Sequence, residues 1–267
     1  MGRLEGKAAI ILGASKPDNM GQIIARRFIE EGARVLVAGR DSNEIDRFSK
    51  ENGIQGVACD ITKRDQIDAL ADKALIDFGK LDIAVNASGW AQVRPFLDVD
   101  EELLDRVIDI QFKGPFLFFQ SMVKAMASGG SLIQISSATA TIMLQNYAPY
   151  MGTKAGIDHV VRVVANEFGH QGIRANSISP GITETPMSER LFRAPGIVDA
   201  FVAAYPLGRV GTSEDIAAAA VWLASDECFM TGENLQVNGG LTLRRNPTPE
   251  EIAMHVERAS KAEASVK

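Results

Sequence analysis

The stretch K-A-A-I-I-L-G-A-S-K-P-D-N-M-G, Lys7 to Gly21, decides the fold. Lys7–Leu12 is a short apolar run suited to a strand buried on both faces, and such runs belong to parallel sheets covered by helices on either side. The loop after it leads into a helical pattern with Met20, Ile24 and Phe28 on one face, which Gly32 stops. A strand, a glycine loop and a helix in that order place backbone amides and a helix N-terminus where they receive phosphate oxygens. Gly13, Ser15, Lys16, Met20 and Gly21 are the candidate contacts. The loop does not fit G-x-G-x-x-G, and a glycine pair alone is usually only a turn; the flanking strand and helix favour the phosphate.

The alternation continues. Arg34–Ala38, Ile54–Ala58, Ile83–Val85, Ser131–Ile135, Ile173–Ile178 and a segment near Leu235–Val237 read as strands. Residues 43–51, 63–78, 100–126, Ala148–Phe168 and Ser213–Leu223 read as helices. The expectation is an α/β protein, a doubly wound parallel sheet of Rossmann type, in a single domain over residues 1–243. A polar extension follows over 244–267, with T-P-E-E at 248–251 starting a helix near 250–262. No repeat and no proline- or serine-rich linker divides the 267 residues.

Composition narrows the function classes. A hydrophobic fraction of 46% with 23% charged residues is ordinary for a globular protein. A net charge of -6 gives no basic footprint for nucleic acid, which points to small-molecule partners, and no apolar run is long enough to span a bilayer. Cys59 and Cys228 lack metal-ligand spacing and nothing at the N-terminus resembles a signal peptide, so a reducing cytoplasm is expected. His159, His170 and His255 are scattered, and no metal is expected.

The stretch Y-A-P-Y-M-G-T-K, Tyr147 to Lys154, carries the chemistry. On a helix, Tyr150 and Lys154 lie one turn apart on one face, where an ammonium stabilises a phenolate and lowers its pKa from about 10 into the range of acid–base work. Ser137 stands thirteen residues before Tyr150.

These features together resemble the short-chain dehydrogenase/reductase family from about Leu4 to Leu243. The resemblance implies a nicotinamide-dependent oxidoreductase acting on ketones or secondary alcohols. Ser137 would hydrogen-bond the substrate oxygen, Tyr150 would exchange the proton, and Lys154 would bind the nicotinamide ribose. Asp60 in C-D-I-T matches the family residue at the adenine, with Ile61 beside it, and Asn86 in V-N-A-S-G matches the N-N-A-G element. P-G-I-T-E-T, 180–185, is similar to the element that holds the carboxamide through Ile182 and Thr185, after Pro180 and Gly181. The closing N-G-G has Asn238 for the family's aspartate. Two departures stand out. The glycine loop has Leu12 for a threonine and about two extra residues at Pro17–Asn19, and Gln111 replaces the asparagine of a proton relay, in which a backbone carbonyl would still serve.

At the end of the second strand, Gly39 occupies the usual acidic position and Arg40 follows, with Lys16 a second cation; NADP(H) is therefore expected ahead of NAD(H), unless these are ordinary solvated charges. Residues 185–206, carrying Met187, Leu191, Phe192, Ile197, Phe201 and Val202, fall where the family places a substrate lid, though they equally suit a small buried helix. Trp90, Gln145 and Tyr147 are candidate pocket residues for a bulky apolar substrate. The family resemblance also implies a homo-oligomer, tetramer or dimer.

Two alternatives stay open. Tyr147 and Lys154 have the Tyr–Lys spacing of the bacterial enoyl-acyl-carrier-protein reductases, which also have an extended glycine loop, although Ser137 fits the carbonyl-reducing branch. A non-catalytic NADP-binding regulator is the other, supported by Gln111 and the altered loop and opposed by Ser137, Tyr150 and Lys154.

Overall fold

In the computed structural model, residues 2–186 and 188–266 are described, Arg190 and 263–266 by backbone alone. Met187 of the expected lid lies outside the described residues. Seven strands, β1 (Ala8–Leu12), β2 (Arg34–Gly39), β3 (Gln55–Ala58), β4 (Ile83–Asn86), β5 (Gly130–Ile135), β6 (Ile173–Pro180) and β7 (Asn234–Val237), form one sheet in the order β3-β2-β1-β4-β5-β6-β7. Every pairing is parallel. The expected doubly wound sheet is present, with β2 and β6 running one and two residues further than their sequence patterns suggest.

Strand order reverses between β1 and β4, where Leu12 pairs with Asn86. A crevice opens beyond the carboxyl ends of strands at such a switch point, because the connections on its two sides leave in opposite directions. The helices α1 (Met20–Glu30), α2 (Ser42–Asn52), α3 (Arg64–Phe78), α4 (Glu101–Ile108), α5 (Gly114–Ala125), α6 (Ala148–Phe168), α7 (Glu189–Arg193), α8 (Ile197–Val202), α9 (Ser213–Ala224) and α10 (Pro249–Val266) complete the fold. One core layer joins Ile24 and Phe28 of α1 and Ile216 and Val221 of α9 to Ile11, Val37 and Val85 of the sheet. The other joins Ile67 and Leu70 of α3, Phe118 and Met122 of α5 and Ile157 of α6 to Ile10, Leu36 and Leu132. Alternate residues of each strand serve opposite layers, which is why the strands read as unbroken apolar runs.

Local chemistry sets the helix ends that matter for the site. Asn19 caps α1 by accepting from Gln22 N–H and itself donates to Gly13 O at 2.8 Å, pinching the glycine loop shut at its base. Asp41 caps α2, and Thr212 with Asp215 closes a capping box on α9. The pattern over 100–126 reads as one helix in the sequence but is two, joined by a π-helical turn over Asp109–Lys113. Among the described residues no helix is long and apolar enough to cross a membrane.

Candidate active site

The glycine loop is built by close backbone approach. Gly13 has φ +111°, and a Cβ there would lie 2.5 Å from the Ala87 carbonyl carbon; a Cβ on Gly21 would lie 2.6 Å from Gly13 O. The extra residues do not cross this cradle. They fold away as a turn, closed by Asn19 N–H to Lys16 O at 3.3 Å, with Asp18 at φ +53° bonded through its carboxylate to Arg26 at 2.8 Å. Asp18 N–H also donates to Gln22 Oε1, so the insertion is clipped to α1.

Where β2 ends, an open recess of about 520 Å³ is lined by Ser15, Lys16, Arg40, Asp41 and Ser42. Lys16 and Arg40 are exposed on its rim, and the first turn of α2 faces it. A Cβ at Gly39 would stand 2.1 Å from Ser15 Oγ and 3.1 Å from Ser15 N. A side chain at position 39 would have to displace the Ser15 hydroxyl, and around the recess Lys16 and Arg40 stand beside the carboxylate of Asp41. Farther along, Asp60 accepts from the Thr62 amide and hydroxyl at 2.9 Å each, and buried Ile61 has its carbonyl against Gly114. Asn86 is fully buried, donating to Gln134 Oε1 at 2.9 Å and accepting from the Ser88 amide and hydroxyl.

The chemical residues converge at the carboxyl ends of β4, β5 and β6. Ser137 follows β5; its Oγ accepts from Thr139 N–H at 3.2 Å and lies 2.9 Å from Thr139 Oγ1. Helix α6 begins at Ala148 with Pro149 in its first turn, which leaves Tyr150 inside the helix and Tyr147 as its N-cap. Ser137 lies near enough to the Tyr150 hydroxyl to lower its pKa, and Lys154 Nζ lies 5.7 Å from the Tyr150 ring centroid. Tyr147 instead meets Tyr150 edge-on, with ring centroids 6.4 Å apart. Lys154 is 3% exposed and donates to Ile135 O at 2.7 Å, a carbonyl that also accepts from Gln134 Nε2.

The electrostatics correct one expectation. Burial pushes the Tyr150 phenol up to about 12 and outweighs the lowering by Ser137, with smaller upward contributions from Tyr147 and Asp158. The expected lowering by Lys154 does not appear, because desolvation dominates and the ammonium is directed at Ile135 O. Burial likewise brings the Lys154 ammonium down to about 8, against an upward pull from Asp158.

Gln111 sits at the centre of the π-helical turn, 1% exposed. Its side-chain amide donates to Trp90 O at 3.1 Å, and Trp90 in turn carries the Arg106 guanidinium 4.5 Å above its ring. The added methylene thus reaches the loop after β4. Gln145 is exposed, beside Asn146, whose carbonyl accepts from Arg94 N–H at 2.8 Å.

β6 ends at Pro180, and Gly181 leads the chain into Ile182. There the Ile182 amide, expected to be free for a carboxamide, donates to the Tyr205 hydroxyl at 2.6 Å, and Thr185 N–H donates to Ser188 Oγ. The segment expected as a lid holds two short helices, α7 and α8. Phe201 and Tyr205 are buried with Ala138 and Leu241, while Leu191, Phe192, Ile197 and Val202 are half-buried. The burial of Ala200 and Phe201 fits the small buried helix of the sequence reading. The C-terminal segment straps this lid: Arg244 donates to Ala203 O, Asn246 to Met143 O at 3.0 Å, and Gly196 passes so close to α10 that a Cβ would lie 2.4 Å from His255 O.

Comparison with known proteins agrees with this arrangement. A family model described as enoyl-(acyl carrier protein) reductase matches residues 13–242. The chain belongs to the short-chain dehydrogenase/reductase family. It is 33% identical to D-threitol dehydrogenase of Mycolicibacterium smegmatis over 250 residues, covering 91% of this chain and 95% of the relative. It is 36% identical to 3β-hydroxysteroid dehydrogenase 1 of Eggerthella lenta, covering 90% and 95%. The solved structure of a short-chain type dehydrogenase/reductase from Mycobacterium ulcerans superposes with a TM-score of 0.88 at 27% identity, over 92% of this chain and 93% of that one. The protein is thus an oxidoreductase that works with a nicotinamide cofactor on small molecules.

Sequence reasoning passed over Gln134, Asp158, Asn234 and Tyr205. Only Asp158 left a signal, its spacing of four from Lys154.

Proposed function

We propose that this enzyme interconverts a ketone and a secondary alcohol on a bulky, largely apolar substrate, with NADP(H) preferred over NAD(H). The reading rests on one observation above all: Tyr150 and Lys154 share one face of α6, with the buried Lys154 ammonium 5.7 Å from the Tyr150 ring centroid and held at Ile135 O, the end of the strand that leads into Ser137. Gly13, Ser15, Lys16, Met20 and Gly21 would hold the phosphates, Arg40 and Lys16 the 2′-phosphate, and Asp60, Ile61 and Asn86 the adenosine side. Pro180, Gly181, Ile182 and Thr185 would frame the nicotinamide. The cradle fits such a group, since Gly13 and Gly21 leave no room for side chains and the recess at β2 is rimmed by cations.

When bound, the nicotinamide supplies or accepts the hydride. The protein does the rest. Ser137 Oγ, polarised by Thr139 N–H, donates to the substrate oxygen. For reduction Tyr150 gives its proton to that oxygen as the carbonyl carbon gains the hydride; for oxidation it takes the proton back. A phenol near 12 suits donation to a developing alkoxide. Tyr147 and Trp90 would shape the pocket with Gln145 at its lip. Val93, Phe96 and Leu97 in the connection after β4 and Met143 in the connection after β5 are exposed apolar side chains, and they favour an apolar substrate. We place the catalytic unit in residues 1–243, the strap in 244–267, and the enzyme in the cytoplasm as a homo-oligomer.

A second reading, reduction of an enoyl thioester with Tyr147 as donor, has the family model's description in its favour. Tyr147 has no approach to Lys154 comparable with that of Tyr150, and Ser137 is placed for a carbonyl oxygen. A screen of ketones, alcohols and enoyl thioesters with both cofactors, followed by nicotinamide absorbance, tests the assignment. Turnover of an apolar ketone that Tyr150→Phe lowers by orders of magnitude is the expected result. Full activity in Tyr150→Phe, or turnover of enoyl thioester alone with Tyr147→Phe inactive, overturns it.

A further inference from the structure

A buried ammonium with only neutral hydrogen-bond partners is costly, and proteins meet that cost with a counter-charge. Lys154 donates to a neutral carbonyl, Ile135 O. One turn farther along the same face of α6 lies Asp158, itself 8% exposed. Tyr150, Lys154 and Asp158 are thus at i, i+4 and i+8, a single file running from the substrate inward.

The surroundings of Asp158 suit an ionised carboxylate. Ser177 Oγ donates to Oδ1 at 2.7 Å; Ser136 Oγ and Asn234 Nδ2 donate to Oδ2 at 2.7 and 2.6 Å. The Asn234 amide is turned so that its own oxygen accepts from Gln236 Nε2 at 3.0 Å, which directs its NH2 at Asp158. The partners come from β6, the end of β5 and β7, and all are neutral; the cations acting on Asp158 are Lys154 and Arg162, both on α6. Burial raises the Asp158 carboxyl, and the serine hydrogen bonds, Lys154 and Arg162 oppose it. The carboxylate also reaches the catalytic strand end, since Ser136 adjoins Ser137 and Ser179 Oγ holds Ser137 O at 3.1 Å.

We propose that Asp158 is the positioning residue of this site: anchored to three strands by Ser136, Ser177 and Asn234, it is the counter-charge that keeps Lys154 an ammonium and in register with Tyr150. It touches neither substrate nor cofactor and acts through Lys154. The inference rests on the assignment of Tyr150 and Lys154 made above. Its sign is definite. Asp158 pulls the Lys154 pKa upward against burial, so removing the charge brings lysine deprotonation down from about 8 toward neutrality.

The test compares Asp158→Asn, which removes the charge, with Asp158→Glu, which keeps it, in the full-length enzyme. The readouts are the pH profile of ketone reduction, the Kd for NADPH against pH by fluorescence titration, and Tm. In Asp158→Asn the alkaline limb moves about one unit acidward, the scale of a lost nearby opposite charge. NADPH binding weakens several-fold at pH 8.5 and is unchanged at pH 6, where Lys154 is charged in both proteins. Asp158→Glu retains the parental limb even where its Tm falls. If Asp158→Asn does not fold, Asp158→Ser offers a hydroxyl to the same partners and gives the same readouts. An unmoved limb in the neutral variant, with Tm lowered equally in both, overturns the proposal and leaves Asp158 a cross-link between α6 and the sheet. Tyr150→Phe measured alongside separates the two assignments: an active Tyr150→Phe retires the catalytic reading, whereas an inactive one beside an unmoved Asp158→Asn limb retires only Asp158.

Discussion

Replacing Arg40 by alanine is the most direct probe of cofactor choice, because it removes one charge from the recess at β2 and leaves the glycine cradle alone. A bound 2′-phosphate carries a charge of about −1.5 to −2. Two unit charges about 4 Å apart attract by roughly 1 kcal/mol in water and roughly 4 kcal/mol at an effective dielectric of 20. Arg40 is exposed, which puts it toward the watery end of that range. A loss of about 2 kcal/mol follows, or roughly 30-fold in Kd. Lys16 remains on the opposite rim, so binding is weakened rather than abolished. NADH has no group at that position, and its Kd should change by less than about three-fold. Fluorescence titration with each cofactor at low salt reads both numbers directly. Raising salt from about 0.05 to 0.5 M should narrow the gap between parent and variant for NADPH only, as screening weakens the attraction that only the parent guanidinium exerts. Equal weakening of the two cofactors, or NADPH binding untouched by Arg40→Ala, would refute the assignment of Arg40 and Lys16 and leave them surface charges.

Gly39→Asp, the substitution that would be chosen to favour NADH, should fail alone: its Cβ meets Ser15 Oγ, and both cofactors should bind at least several-fold more weakly until Ser15 is also made glycine. Gln111→Asn shortens the side chain by one methylene and loses the bond to Trp90 O, so KM for ketone should rise about five-fold, near 1 kcal/mol, with the pH profile unmoved; a collapse in kcat instead would assign the glutamine amide to the proton path. Asp215→Ala opens the α9 capping box and should cost about 1 kcal/mol in urea unfolding at pH 7. Because Arg209 beside it holds the Asp215 carboxyl down at about 2 from 3.8, that contribution is complete above pH 4 and is lost as pH falls toward 2. Parent and variant should therefore converge in acid, and a gap that stays constant from pH 7 to 3 would contradict the pairing.

What the sequence discloses and what it hides divide along a physical line. Strands buried on both faces advertise themselves, since every residue from Ala8 to Leu12 must be apolar, and the end of α6 at Phe168 follows from the glycine after it. Tyr150, Lys154 and Ser137 were legible because two of them share a helix face and the third lies at a fixed distance in the chain. The π-helical turn at Gln111 was not, for nothing in D-I-Q-F-K distinguishes an i→i+5 ladder from the ordinary one; packing against α6 and the loop at Trp90 decides it. Nor was the claim of Tyr205 on the Ile182 amide, which joins residues 23 apart across a lid whose path no periodicity describes. Asp158 falls between. Its place below Lys154 is written in the spacing, but its partners Ser136, Ser177 and Asn234 come from three strands that only the sheet order brings together.

The strap formed by the last residues makes the two ends of the chain unequal as handles. At the amino end, Leu4 is fully buried and its amide is tied to Glu31 O, and the chain enters β1 from the edge of the sheet away from the crevice. At the carboxyl end, Arg244 and the Gly196 contact with His255 fasten the segment to both ends of α8, and Asn246 fastens it to the connection after β5. A purification tag, a fused partner or a surface anchor attached after α10 therefore loads α8 and the connection that follows Ser137, and the same load attached before Gly2 falls on the buried Leu4 instead.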